Sequence, residues 1–280
     1  MVWILAQGIF ESVAAPLWGA VSRAVGEPVP LYPFSMLAGI TTASWIAFRF
    51  QLEAPWALAG FPPGAWSFRA LLLGFGGGAA ALLLTTLGLV VLGALTFESV
   101  SMLDGSGTMD GWWDTALRVL VVLAPAALWE EMAFRGFLQG IVVEAMGAAR
   151  SAHLVGRAVA SVGFGVVHLA NPGAGLRTTL IVMLAGWCLS LLREQAGLPA
   201  AWAAHLAWNW IMAAVLHVAV SGLPFATPGY RGVVRGPDWL SGGGWGPEGG
   251  VVAALVLGGI ALWQARKLLR SVTSGTAGPA

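Results

Sequence analysis

A polytopic, all-α transmembrane helix bundle of about eight helices is expected from three observations. Of the 280 residues, 58% are hydrophobic and only 10% are charged, where soluble domains carry about a quarter. Mean hydropathy is +0.79, so too few charges exist to clothe a soluble globule. Apolar windows of about 20 residues, the length that spans hydrocarbon at 1.5 Å per residue, recur along the chain between Pro, Gly and charged breaks. The same counts exclude a soluble enzyme and a disordered chain. A formal charge of +1 offers no field for nucleic acid.

Taken in order, the first window, 2–23, carries Glu11 and Pro16 and either spans the bilayer or lies in its interface. The second, 31–48, ends at Arg49, and the third, 70–96, follows a Pro/Gly loop at 53–66. The fourth, 114–147, would be about 50 Å long as one helix, more than a bilayer needs. It is expected to tilt, protrude or break near Gly136 and Gly140. The fifth, 155–170, stops at Asn171-Pro172-Gly173; the sixth covers 176–192, the seventh 199–220, and the eighth 251–265 before Arg266-Lys267. Two loops stand out: 98–113, with Glu98, Asp104 and Asp110, and 221–250, a Gly/Pro/Trp stretch read as an extramembrane loop or lid. The chain reads as one integral-membrane domain, 1–280. Met1 is followed by Val-Trp-Ile-Leu without a positive n-region, so a cleaved signal peptide is not expected.

The basic residues orient the bundle. With the N-terminus inside, Arg49, Arg69, Arg150, Arg157, Arg193, Arg266, Lys267 and Arg270 fall on the cytoplasmic side, against Arg23, Arg177, Arg231 and Arg235 outside. Both termini are then cytoplasmic, in the inner (plasma) membrane, with the lipid bilayer as the main partner. The single cysteine, Cys188, rules out a disulfide framework or a thiolate cluster and reads as an apolar filler.

Charge at membrane depth is costly and marks function by default. The fourth window contains Trp129-Glu130-Glu131-Met132-Ala133-Phe134-Arg135. Glu131 and Arg135 are i and i+4 on one helix face and can pair. Glu130 points about 100° away and is left unpaired, as a general base or acid needs. Alone, these groups could equally form a structural network in a wet crevice. The fifth window places Phe164 and His168 on one face, with Gly163 and Gly165 permitting close helix contact; the seventh does the same for His205 and Asn209. Each His alone reads more simply as interhelical polar glue. The set of two His, an unpaired Glu, a Glu/Arg pair and an Asn could instead line one cavity that polarises a water. No His-Glu-x-x-His run, Gly-x-Ser-x-Gly elbow or intramembrane aspartate pair competes with it, Asp114 lying only at the mouth of its window. His153 and His217 read as solvated and interfacial. The fifteen Trp read as interfacial belts, with Trp208 or Trp210 as site-lining candidates.

Glu130-Glu131-x-x-x-Arg135, then Phe164-x-x-x-His168, then His205-x-x-x-Asn209 resembles the three-part signature of the CPBP intramembrane endopeptidases, the CAAX prenyl protease 2 (Rce1-like) group once described as abortive-infection proteins. The resemblance implies a hydrolase cutting a peptide bond of a protein or peptide substrate in the membrane. Glu130 and His168 would activate water, His205 and Asn209 would form the oxyanion hole, and Glu131, Arg135 and Phe164 would support them. No cofactor is favoured. A Zn²⁺ ion, were one used, would take Glu130, His168 and His205. Two other readings use the same cavity: a non-proteolytic scaffold or bacteriocin-immunity-type protein binding a partner segment, and a proton-coupled transporter, which the lack of internal repeats disfavours.

Overall fold

The computed structural model describes residues 2–25, 30–99, 109–147, 149–225 and 229–273. They form an all-α bundle with one small sheet. Its helices are α1 (Val2–Val25), α2 (Tyr32–Ile46), α3 (Phe68–Val91), α4 (Met109–Glu131), α5 (Gln139–Ala145), α6 (Arg150–Val167), α7 (Leu176–Ala196), α8 (Leu198–Trp210), the short α9 (Asp238–Ser241) and α10 (Val251–Thr273). Four helical stretches are long and apolar enough to cross a membrane: Val2–Arg23, Phe68–Val91, Arg150–Ala170 and Leu176–Ala196. Their outward faces are greasy. Val13 on α1, Leu72 and Val91 on α3, and Leu255 on α10 are 59–76% exposed, a surface suited to lipid rather than water.

The long fourth window breaks where its glycines stand. A π-helical turn over Met132–Leu138 separates α4 from α5, and such turns occur often at functional sites. Gly136 packs beside Leu198, and Gly140 lies under the Leu58 carbonyl, where a Cβ would also meet Phe48 at 2.8 Å. The third and seventh windows end early. The chain leaves helix after Val91 and, beyond α8 and a π turn at Ile211–Val215, after Val215.

Two strands account for part of that difference. β1 (Leu95–Ser99) pairs antiparallel with β2 (Tyr230–Val234), Leu95 opposite Val234 and Ser99 opposite Tyr230. The Arg235 guanidinium donates to Thr96 Oγ1 at 2.9 Å and bonds Glu98, while Arg231 adds a 3.6 Å ion pair to Glu98. The described part of the 221–250 stretch is thus folded. It carries β2, α9 and two short 3₁₀ turns, and its Trp245 is buried in one apolar cluster with Phe134, Phe164 and Val182. Residues 100–108 of the acidic 98–113 loop, including Asp104, lie outside the described residues.

Packing of α3 on α8 sets the depth of everything that follows. Gly74 and Gly78 lie against the backbones of Ala200 and Ala204, so close that a Cβ would meet either carbonyl carbon at 2.8 Å. This small-xxx-small contact makes α3 and α8 parallel. On the other flank α8 runs antiparallel to α4, joined by indole N–H donors: Trp202 to Ala124 O and Trp210 to Ala116 O, both 2.9 Å, and Trp112 back to Ala214 O at 2.8 Å. Trp210 is therefore a brace and lies off the site face. Gly165 packs against Met183 and the Thr179 carbonyl of α7, as the Gly163/Gly165 pair suggests.

Candidate active site

The three signature segments converge because α4, α6 and α8 each contribute one face to the same interior. Glu131 and Arg135 are wholly buried, and Arg135 Nη1 donates to Glu131 Oε1 at 3.0 Å across the π turn. The guanidinium lies over the Phe164 ring, 4.0 Å from its centroid. It fits because residue 186 on α7 is glycine: a Cβ there would stand 3.2 Å from Arg135 Nη2. Burying this pair costs several kcal/mol per ion, offset only while both partners stay.

Glu131 has a second partner that spacing alone does not reveal. Its Oε1 lies 2.9 Å from His205 Nδ1. A carboxylate only accepts, so Nδ1 carries the proton and the ring is held with Nε2 facing outward. Nε2 in turn lies 3.8 Å from Glu130 Oε2. Glu130, expected to be unpaired, thus faces His205, with a side chain 21% exposed. His205 stands between two carboxylates.

His168 follows the same logic on its own helix. Its Nδ1 is 2.7 Å from the Phe164 carbonyl oxygen, which can only accept. In the neutral ring, Nε2 then carries a free lone pair. Phe164 is the hub: its ring centroid is 4.6 Å from that of His168, 5.8 Å from that of His205 and 5.4 Å from that of Phe134. No hydrogen bond or ion pair joins His168 to Glu130 among the described residues.

Phe164, His168, His205 and Asn209 line one cleft of about 1740 Å³; Glu130, Glu131 and Arg135 are not among its lining. Glu130 reaches His205 from outside that lining. The cleft's apolar walls include Leu72 and Leu73 of α3, Leu189 of α7 and Leu257 of α10, and its far end is basic, with Arg69, Arg150, Arg157, Arg193 and Lys267 around Glu194. His205 neighbours Ala204, which abuts Gly78. That level is about 15 Å from the start of α3 and about 20 Å from its end, so the site is at mid-depth.

Two histidines sit differently from expectation. His153 lines the basic end and lies 3.4 Å from Glu194 Oε1, which also accepts from Gln139 Nε2 at 2.9 Å. His217 is buried rather than interfacial, packed under the sheet with its ring 4.4 Å from that of Tyr230. Cys188 is the buried filler foreseen, its thiol 3.4 Å from the Leu257 carbonyl. Trp208 does line the cleft. Glu248 and Ser221, which have no site role in the sequence reading, line it too.

The described residues contain no group of three His, Cys, Asp or Glu that could hold a metal ion. A metal held by the conditional set Glu130, His168 and His205 would take Nε2 of each ring, since each Nδ1 already has its own acceptor.

Comparison with known families bears on the segment that holds these residues. Residues 112–211 match the family model described as type II CAAX prenyl endopeptidase Rce1-like. This stretch is Rce1-like. It runs from the first turns of α4 to the end of α8 and includes every residue of the three-part signature. The family it matches is one of proteases. No curated protein and no solved structure matches the chain.

Proposed function

We propose that the protein is an intramembrane endopeptidase that hydrolyses a peptide bond of a membrane-associated substrate held in the mid-depth cleft. The observation that carries this reading is His205 fixed between Glu131 and Glu130 beside a His168 whose Nδ1 is already committed. Water held between Glu130 and His168 Nε2 loses its proton to Glu130 as it attacks the carbonyl carbon. Negative charge then develops on the carbonyl oxygen. Donors preorganised at that point contribute most to acyl transfer, and His205 Nε2–H and the Asn209 amide take that role. With Nδ1–H given to Glu131, donation from Nε2 requires the ring to carry both protons, a charge that the two flanking carboxylates balance. Collapse of the tetrahedral intermediate needs a proton on the leaving nitrogen, and Glu130 returns the one it accepted. Glu131, Arg135 and Phe164 hold this arrangement without touching the substrate. No step above uses a metal ion.

The same reading places the protein in the inner (plasma) membrane with the basic end of the bundle in the cytoplasm. The test is direct. In purified protein reconstituted in nanodiscs, Glu130→Gln and His168→Ala are each expected to abolish cleavage of an internally quenched peptide with a prenylated CAAX-type end. Turnover unchanged in both would overturn the reading and leave partner binding as the function of the cavity.

A further inference from the structure

Glu248 belongs to none of the three signature segments, yet it lines the same cleft as His168, His205 and Asn209. It sits in the 3₁₀ turn Pro247–Gly249 that leads into α10. Oε1 accepts from the Ser221 backbone N–H at 2.6 Å and from the Ser221 hydroxyl at 2.7 Å, while Oε2 accepts from the Trp208 indole N–H at 2.8 Å. Three short donors on one carboxylate fix it strongly.

What those donors belong to gives the contact its meaning. Trp208 immediately precedes Asn209 in the last turn of α8. Ser221 opens the 221–250 segment with φ +50°, uncommon for a residue with a side chain. Its carbonyl accepts from the Asn171 side-chain amide at 3.1 Å, in the turn just after His168 and its 3₁₀ extension. One carboxylate therefore ties together the α8 turn that carries Asn209, the turn that follows His168 and the segment that begins at Ser221. The segment is seated further by the Gly222 N–H on Trp245 O at 2.9 Å and by Arg177 Nε on Gly249 O at 3.0 Å.

We infer that Glu248 is a positioning residue for the hydrolytic site, acting through Trp208 on Asn209 and through Ser221 and Asn171 on His168. Its effect on turnover rests on the endopeptidase reading; the lock itself does not. A mere staple for the 221–250 segment would lower stability and leave the chemistry of the folded fraction alone. A positioning residue would lower kcat and spare KM.

The experiment compares Glu248→Gln, Trp208→Phe and the double variant in nanodiscs, with the same quenched peptide. Gln keeps the shape and one acceptor, but sets an amide donor against the indole N–H. Each single change is expected to lower kcat about 10- to 100-fold through a small misplacement of the site, with KM within about twofold. Because the two share one bond, the double variant should be no slower than the worse single. A Glu248→Gln enzyme with kcat within about twofold of the parent, or a double variant whose losses multiply, overturns the inference. Should Glu248→Gln fail to fold, Trp208→Phe decides on the kcat and KM split alone. Hydrogen exchange at the backbone amides of 220–223 gives a readout independent of catalysis. Faster exchange in Glu248→Gln supports the lock and unchanged exchange refutes it, whereas a parent protein that cleaves nothing refutes only the endopeptidase reading.

Discussion

The Glu131–Arg135 pair shows how a single residue's value depends on its partner. Both side chains are fully buried, and Glu131 also holds His205 at 2.9 Å. Arg135→Met strips the buried Glu131 carboxylate of its permanent countercharge, a change that costs about 3–5 kcal/mol. Replacing both, Glu131→Leu with Arg135→Met, removes the stranded charge and should recover part of that loss, the remainder being the buried His205 Nδ1–H left without its acceptor. Turnover should stay lost in the double variant, because His205 no longer has an acceptor for Nδ1. Thermal unfolding in detergent beside the peptide assay separates the two effects; a double variant as unstable as the single would contradict this account. Helical spacing was enough to read the ion pair from the sequence, because i and i+4 are neighbours on any helix. The Glu131–His205 and Glu130–His205 contacts were not legible, since both depend on how α8 docks on α4. Glu248 was missed for a further reason: it lies in a Gly/Pro stretch with no periodicity from which to infer direction.

At the scale of elements, the site depends on helices that approach more closely than ordinary side chains allow. The windows for α3 and α8 were found by their hydrophobicity, but Gly74-x-x-x-Gly78 facing Ala200-x-x-x-Ala204 is a docking code of small residues, visible only once the two faces are known to meet. Gly76 and Gly77 on the same helix have nothing within 4 Å of an added Cβ. Gly78→Ala should therefore cost about 1–3 kcal/mol by overpacking and slow turnover by pushing His205 away from Glu131. Gly77→Ala, whose methyl would enter the cleft and not the α8 contact, should not carry that stability cost and should gain slightly from better helix propensity. Unfolding curves and turnover of the two variants check this contrast; equal effects would mean that α3 does not set the depth of α8. The same physical limit explains why hydropathy makes β1 the end of a helix and β2 part of a loop. Each strand is five residues long, and its hydrogen-bond partner lies far away in the chain.

For the whole molecule, the packing directions carry an orientation that can be tested. Gly74 and Gly78 against Ala200 and Ala204 make α3 parallel to α8. Arg177 on Gly249 and Cys188 on Leu257 make α7 parallel to α10, and the indole braces make α4 antiparallel to α8. The first turns of α3 and α6 and the last turns of α7 and α10 thus share one end, which gathers Arg69, Arg150, Arg157, Arg193 and Lys267 at the rim of the cleft. The sheet, with Arg231 and Arg235 paired to Glu98, stands at the other. Five of the eight basic residues that counting assigns to one side thus line one end of the cleft. In the orientation proposed above, this rim faces the cytoplasm and the sheet the outside. Because Cys188 is buried, Cys188→Ala gives a background for single-cysteine labelling in intact cells with a membrane-impermeant maleimide. A cysteine at Ser99 should label from outside, and one at Arg266 only after the membrane is opened. Labelling of both from outside would break the alternation, while the reverse pattern would keep the fold and invert the protein, moving the basic mouth of the cleft to the outer face.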